Sequence, residues 1–391
     1  MNLKSILTTI AVPRPNHSNT LNTVIEYVKE LLTGWGIQFT VQDFTLRPHM
    51  QLLVGYTCFI LAVIFLFFIL KKRPVGAFLA ALAIPALLIL EFELFIPVTS
   101  GIITRPGQNI IMSFPAAGAV RELIFCAHID SKTDFLDHIQ RARVYQWIPA
   151  AIVLGLLMPA WVLIAKKYSL LLKNWARFTT AALAIILVLY WGMVGLSFGG
   201  YVFLDRESFG AVDNGTSVTT LLALAKNIHD GKIDQGRSSV TVVITSGEEV
   251  SLQGAHAYIN NRFKSGTAET AVPPFLVNLE LVAQKGNMIY WEKSGMFLKY
   301  YDTDIELRDR LNRVWKGISG TEMDSCEKIT DDSQRFLAAG IPSITVGNSG
   351  LPGPGMGGFH SPLDCMNRVV FKNLDLMVLT LGRFIESYNK F

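Results

Sequence analysis

The 391-residue sequence predicts a mixed, mostly parallel α/β sheet flanked by helices and carrying two inserted transmembrane helical hairpins. Three observations predict it. Half of the residues are hydrophobic and only 17% are charged, which excludes a disordered chain and calls for membrane segments beside a soluble body. Two pairs of long apolar runs are each joined by a short basic linker. Outside those runs, short stretches rich in β-branched residues alternate with helical patterns, several of them closed by glycine.

Taken in chain order, residues 1–50 form the first part of the polar body, with a helix over Thr20–Thr33 and a strand over Ile37–Phe44. Met1–Val12 is apolar but short, and Pro13, Arg14 and Pro15 interrupt it, so no signal-peptide pattern is present. Residues 51–97 are the first membrane hairpin. Gln51–Leu70 runs for 20 residues without a charge, and after Lys71-Lys72-Arg73-Pro74 a second run extends from Val75 to about Pro97. Glu91 and Glu93 stand near the outer end of that run and are read as snorkelling, water-facing residues.

The body continues over 98–146 with strands at Asn109–Phe114 and Glu122–Ala127. A second hairpin occupies 147–204, with runs from about Trp147 to Ala165 and from about Phe178 to Leu204 joined by a linker holding Lys166, Lys167, Lys173 and Arg177. A single run of this kind competes with a buried core helix; four runs paired around basic linkers favour membrane spans. Both linkers are expected in the cytoplasm, which places every polar segment on the opposite, extracytoplasmic side.

Residues 205–391 complete the body. Strands are predicted at Ser239–Thr245, Pro274–Val282 and Ser343–Val346, and helices at Thr216–His229, Ser251–Arg262, Asp302–Val314 and Gln334–Ala339. The net charge of +4 sits in the two membrane linkers rather than on a folded face, so no nucleic-acid partner is expected. Four cysteines lack C-x-x-C spacing, which excludes a thiolate zinc site; a Cys326–Cys365 bridge and two unpaired thiols both remain open.

In sheets of this class ligands bind beyond the carboxyl ends of the strands. Strand Glu122–Ala127 runs into His128, with Asp130 two residues on; a histidine there can bind zinc while a carboxylate orients its other nitrogen. Asp213 sits in the tight turn GAVDNG before a helix. Strand Ser239–Thr245 ends in Glu248 and Glu249, and adjacent carboxylates repel unless one ligates a cation and the other accepts a proton. Glu280 lies within the apolar strand segment VNLELVA, where a lone carboxylate is costly, and His360 lies in the loop GGFHSPLD. Each has an ordinary structural explanation by itself. Together they supply two oxygen/nitrogen sites with a carboxylate between them and a spare glutamate, an arrangement suited to two divalent ions and hydrolysis.

The motifs AHID, GAVDNG, TSGEEVSLQGAHAYI, NLEL, TDDSQRFLAAGIP and FHSPLD, in this order, resemble the co-catalytic zinc aminopeptidases of clan MH. That family includes aminopeptidase Y, bacterial secreted aminopeptidases and glutamate carboxypeptidase. RPNHSNTLNTVIEYVKELLTGWG is similar to its opening helix, so the resemblance covers nearly all of the polar body and none of the membrane runs. It implies a phosphorylase/hydrolase-like zinc peptidase domain holding two Zn²⁺, with His128 and Glu280 on one ion, Glu249 and His360 on the other, and Asp213 bridging. Glu248 would be the general base; Asp130, Asp332 and Asp364 would orient the ligands from behind.

Four features depart from the family pattern. Glu280 stands where Asp is usual, Ser333 where many members have His, and Phe359 where some have a carbonyl-polarising Tyr; the second hairpin is inserted between His128 and Asp213. The implied activity is an aminopeptidase acting on peptides with a free N-terminus, anchored in a lipid bilayer. The alternatives are another amide hydrolase or a cyclase on the same scaffold (carboxypeptidase, glutaminyl-cyclase-like, lipid-linked amide) and a non-catalytic receptor. Oligomeric state is not legible in the sequence.

Overall fold

A computed structural model describes residues 1–136, 138–264, 272–296, 298–350 and 358–390. Gly357, which opens the GGFHSPLD segment, lies outside the described residues. The elements are α1 (Leu3–Ile10), α2 (Asn19–Gly34), β1 (Thr40–Leu46), α3 (Met50–Leu70), α4 (Pro74–Leu88), β2 (Arg105–Phe114), β3 (Arg121–His128), α5 (His138–Tyr145), α6 (Ile148–Lys167) and α7 (Asn174–Gly199). They continue as α8 (Thr216–His229), β4 (Ser238–Thr245), α9 (Gln253–Ile259), β5 (Pro274–Leu279), β6 (Met288–Met296), β7 (Lys299–Asp302), α10 (Ile305–Ser319), β8 (Asp324–Ile329), α11 (Ser333–Ala338), β9 (Ser343–Asn348) and α12 (Phe371–Glu386). Two compact units result: one comprises Met1–Pro48, Arg105–Thr133 and Arg206–Phe391, the other His49–Thr104 and Asp134–Asp205.

The first unit is built on a mixed sheet in the order β1-β2-β4-β3-β5-β9-β6-β7, with β8 paired to β6. Its four central strands, β4, β3, β5 and β9, are parallel, and antiparallel pairs flank them. The centre is parallel because its strands are apolar on both faces. Leu123, Phe125 and Ala127 of β3 pack on one face with α2, α8 and α12, while Ile124 and Cys126 pack on the other with Ala255, Tyr258 and Phe336. That alternation follows directly from the two-residue period of a strand.

The helices carry their own signals. Ser18 caps α2 by accepting from the Leu21 N–H at 3.3 Å, and Leu21, Val24, Ile25, Val28 and Leu32 form its buried stripe. Asp304 caps α10 in the same way, accepting from the Leu307 N–H at 2.9 Å, and Gly320 closes that helix in the left-handed conformation.

In the second unit, four helical spans, Met50–Leu70, Pro74–Glu93, Ile139–Lys167 and Asn174–Phe203, are long and apolar enough to cross a membrane. Gly55 of α3 and Gly195 of α7 let these two helices approach closely: a Cβ on Gly55 would sit 3.0 Å from the Gly195 Cα. One expectation is corrected here. Glu91 does not snorkel; it is fully buried, and its carboxylate accepts from the backbone N–H groups of Thr99 and Ser100 and from the Ser100 hydroxyl. A loop that returns over the helix end supplies the hydrogen bonds that water was expected to supply. The four cysteines are free thiols.

Candidate metal centre

The strand ends deliver the site. His128 is the last residue of β3 and pairs in register with Thr245, the last residue of β4, so the Glu248–Glu249 turn emerges beside it. Glu280 follows the end of β5, which is also paired to β3. Asp213 comes from the GAVDNG turn before α8, where the Asp213–Asn214 peptide bond is cis. His360 comes from the loop after β9.

Six predicted residues converge. His128 Nε2 lies 3.3 Å from Asp213 Oδ1, 3.5 Å from Glu280 Oε2 and 3.9 Å from Glu248 Oε2. His360 Nε2 lies 3.2 Å from Asp213 Oδ2 and 2.9 Å from Glu249 Oε1. The two oxygens of Asp213 therefore face two different His/Glu sets. Ligands about 2.0–2.1 Å from one tetrahedral zinc stand about 3.3 Å from each other. The observed separations fit such a cage, and the donor set, imidazole plus carboxylate without thiolate, suits zinc. His128, Asp213 and Glu249 alone place three ligand atoms within 4.8 Å of one another.

The surrounding groups hold these ligands. Asp130 accepts from the backbone N–H of Glu248 at 3.3 Å and of Glu249 at 3.0 Å, and from Asn16 Nδ2 at 2.6 Å. Its backbone carbonyl lies 3.1 Å from His128 Nδ1, so it also sets the imidazole's orientation. Asp364 accepts from the N–H groups of Val212 and Asp213 at 2.8 and 3.1 Å. Asp332 accepts from Thr245 Oγ1 at 2.5 Å, with Cys126 Sγ 3.8 Å away, so it packs under the strand ends.

Two departures from the family pattern acquire structural explanations. Phe359 is fully buried among Val212, Leu281, Ile289 and Trp291, so it is a packing residue. Ser333 donates to Asp331 Oδ1 at 2.6 Å.

Three residues of this assembly were not singled out from the sequence. Asp331 is fully buried and accepts from Asn278, Ser294, Ser333 and Thr345, joining four elements. Asn16 buttresses Asp130. Arg14 is buried between the segments carrying His128 and Asp213; it donates to the carbonyls of Phe209 at 2.8 Å and Gly210 at 2.9 Å, and to that of Ile129. The signal for Arg14 was present: a cation between two prolines in an otherwise apolar stretch. Gly210 is required beside it, since its φ is +57° and a Cβ there would meet Ser131 Cβ at 2.6 Å and Arg14 Nη1 at 2.8 Å. Burial pulls the Arg14 guanidinium down to about 10 against the pull of Asp364, Asp130, Asp213 and Glu249, so it stays cationic. Arg14→Met leaves these carbonyls without their donor and is expected to destabilise the protein by about 4 kcal/mol. Thermal or denaturant unfolding checks this; an unchanged midpoint contradicts it.

Crowding of acids defines the electrostatics. Burial pushes Glu248 well above the usual carboxylate range and Glu280 up to about 8, reinforced for Glu280 by Asp213 and Asp331 and opposed by His128. Burial also moves Asp332 and Asp364 up to about 7. Burial disfavours the His128 cation, yet Glu280 and Glu248 outweigh it and hold the imidazole well above its usual value. Burial likewise opposes ionisation of Asp213, but His128 and His360 hold it well below its own.

The sign of the pH effect follows. Glu280, Asp332 and Asp364, with raised folded values, stabilise the metal-free protein fully below their unfolded pKa and lose that stabilisation as pH rises through about 7–8. Asp213, with a lowered value, loses its contribution only in more acid solution. The melting temperature without metal is therefore expected to fall between about pH 5 and pH 8, and zinc is expected to raise it more at the upper end. A rise across that window would contradict the assignment.

Known proteins resemble this chain in sequence and in fold. Residues 194–384, just under half of the chain, match the sequence model of Peptidase family M28, a stretch holding Asp213, Glu248, Glu249, Glu280 and His360. No curated protein matches the chain. Among solved structures, a Zn-dependent exopeptidase from Parabacteroides distasonis is similar at 12% identity and TM-score 0.55, over 98% of this chain and 97% of that one. A leucine aminopeptidase precursor from Bacteroides thetaiotaomicron matches at 13% identity and TM-score 0.54, over 100% and 95%. Fimbriiglobus ruber glutaminyl cyclase matches at 13% identity and TM-score 0.56, over 98% and 93%. The chain therefore shares the fold of these zinc exopeptidase, aminopeptidase and glutaminyl cyclase structures.

Proposed function

We propose that this chain, with its M28 zinc-peptidase fold, is a membrane-anchored aminopeptidase holding two zinc ions. The observation that carries the reading is Asp213, whose two oxygens lie 3.3 and 3.2 Å from His128 and His360, each histidine with its own glutamate. His128, Glu280 and Asp213 would hold one ion, and His360, Glu249 and Asp213 the other. When bound, zinc supplies Lewis acidity that acidifies water and polarises the substrate carbonyl.

The chain's residues do the rest. Glu248 Oε2 lies 3.9 Å from His128 Nε2, at the edge of the first set, and 11% of its side chain is exposed. It accepts the proton of the attacking water and returns it to the leaving amine. A nearby cation also favours the ionised form that burial disfavours, so Glu248 becomes a competent base when the site is loaded. Asp130 holds the Glu248–Glu249 backbone, and Asp364 holds that of Asp213, so base and bridging ligand are oriented before substrate arrives.

The membrane assignment draws on the four long apolar helices and on their large exposed side chains, such as Val75, Phe178 and Leu189, which suit a lipid-facing surface. The basic linkers, read as cytoplasmic, support an extracytoplasmic catalytic unit.

The test is release of the first residue from a peptide with a free α-amine, compared with its N-acetylated twin, by the full chain in detergent with zinc. Cleavage of the free-amine peptide alone is expected. A third peptide beginning with Gln, assayed for ammonia loss without hydrolysis, would show cyclase activity and overturn the aminopeptidase reading. Cleavage of the N-acetylated peptide would overturn it as well.

A further inference from the structure

The segment 94–103, between α4 and β2, reads LFIPVTSGII and contains no charged residue. Phe95 is buried, and the other large apolar side chains turn outward: Leu94, Ile96, Val98 and Ile103 are exposed, and Ile102 is 77% exposed. Its polar groups are turned inward. Glu91, fully buried at the end of α4, accepts from the Thr99 N–H at 2.5 Å, the Thr99 hydroxyl at 3.1 Å, the Ser100 N–H at 3.0 Å and the Ser100 hydroxyl at 2.5 Å. The N–H groups of Leu94 and Ile96 donate to the carbonyls of Ile89 and Leu90 at 3.0 and 2.8 Å.

This arrangement is the reverse of a loop built for water. A solvated loop shows its hydroxyls and leaves its backbone to the solvent. Here the loop's two hydroxyl residues are spent on a buried carboxylate, while large aliphatic groups face out. Lipid imposes that pattern, because a hydrocarbon surround offers no hydrogen bonds and each unsatisfied backbone group is costly there. The segment also follows a helix of the same unit that is long and apolar enough to cross a membrane and exposes Val75, Phe78, Leu79 and Leu82.

We propose that residues 94–103 form an interfacial anchor whose exposed aliphatic side chains lie among lipid acyl chains at the end of α4, with Glu91 as the internal peg that holds its shape. The occupant is the phospholipid bilayer. The proposal rests on the membrane reading above and adds a surface to it that does not span.

The test uses the full chain in nanodiscs of phosphatidylcholine and phosphatidylglycerol, with Cys326→Ser and Cys365→Ser removing the two thiols that are not buried. Nitroxide labels are placed singly through Ile102→Cys, Val98→Cys and, as the membrane control, Leu79→Cys, and saturated in the presence of oxygen or a nickel chelate. Oxygen is expected to exceed nickel at all three positions, least strongly at Ile102 and Val98. Nickel exceeding oxygen at Ile102 and Val98 while Leu79 favours oxygen overturns the anchor and leaves the membrane reading standing. Nickel dominance at Leu79 as well overturns the membrane reading itself. Low access to both reagents at Ile102 and Val98 means that protein covers the loop, as in a pairing of two copies, and also overturns the lipid assignment.

Discussion

Glu248→Gln is expected to lower turnover by about 10²–10⁴-fold, the usual span for a general base, with zinc content unchanged. The geometry separates the two effects. Glu248 Oε2 stands 3.9 Å from His128 Nε2, farther than Asp213 at 3.3 Å or Glu280 at 3.5 Å, so it is the least engaged carboxylate around that imidazole. The glutamine keeps the volume and leaves the backbone contact to Asp130 in place, so no cavity and no orphaned N–H results. What disappears is the proton acceptor. The loss should therefore appear in kcat rather than KM. Normal turnover in this variant would remove Glu248 from the mechanism.

Asp213→Ala is expected to have a comparable effect by a different route, the loss of metal. Residues that merely orient a ligand typically account for about 10–100-fold in metal affinity, so a carboxylate shared by both sets should account for more than about 100-fold. Asp364→Asn provides the comparison. It weakens the hold on the Val212 and Asp213 N–H groups without removing a ligand, and is expected to lie within the 10–100-fold range. Zinc measured after desalting, beside titration of the metal-free protein, distinguishes the two. Two tightly held zincs in Asp213→Ala would refute the bridging assignment.

The legible parts of the fold are those where chemistry is local. The central strands are apolar on both faces and were readable as continuous runs, and α8 was read with its observed bounds, Thr216–His229. Strands β6, β7 and β8 were not read. Asp324–Ile329 is mostly exposed and its residues alternate no apolar face, while Met288–Met296 carries Glu292 and Lys293 at its middle, so neither shows a strand period. Pairing with distant neighbours makes them strands. Helices α1 and α12 were not read, although both carry an apolar stripe at helical spacing: Ile6, Leu7 and Ile10 in α1, and Leu374, Met377, Leu381, Phe384 and Ile385 in α12.

The candidate site was legible for a related reason. His128, Glu248, Glu249 and Glu280 stand at or just after strand ends, where an ionisable group after an apolar run stands out, and Asp213 and His360 sit in Gly-rich turns. Arg14 and Asp331 act through carbonyls and hydroxyls scattered along the chain, and no local pattern reveals such partners. Glu91 was misread because its hydrogen-bond donors, Thr99 and Ser100, look like ordinary loop residues.

The position of β9 has a consequence for biosynthesis. This strand lies between β5 and β6, near the middle of the sheet, yet it is the last strand of the chain. His360 follows it, and roughly 230 residues separate that histidine from His128, about 10–50 s of translation at ordinary rates of 5–20 residues per second. During that interval the apolar edge of β5 waits for its neighbour and the half-built cage cannot close. A ribosome that stops before β9 releases a chain without a complete sheet and without His360, so the cluster of His360, Asp213 and Glu249 cannot assemble.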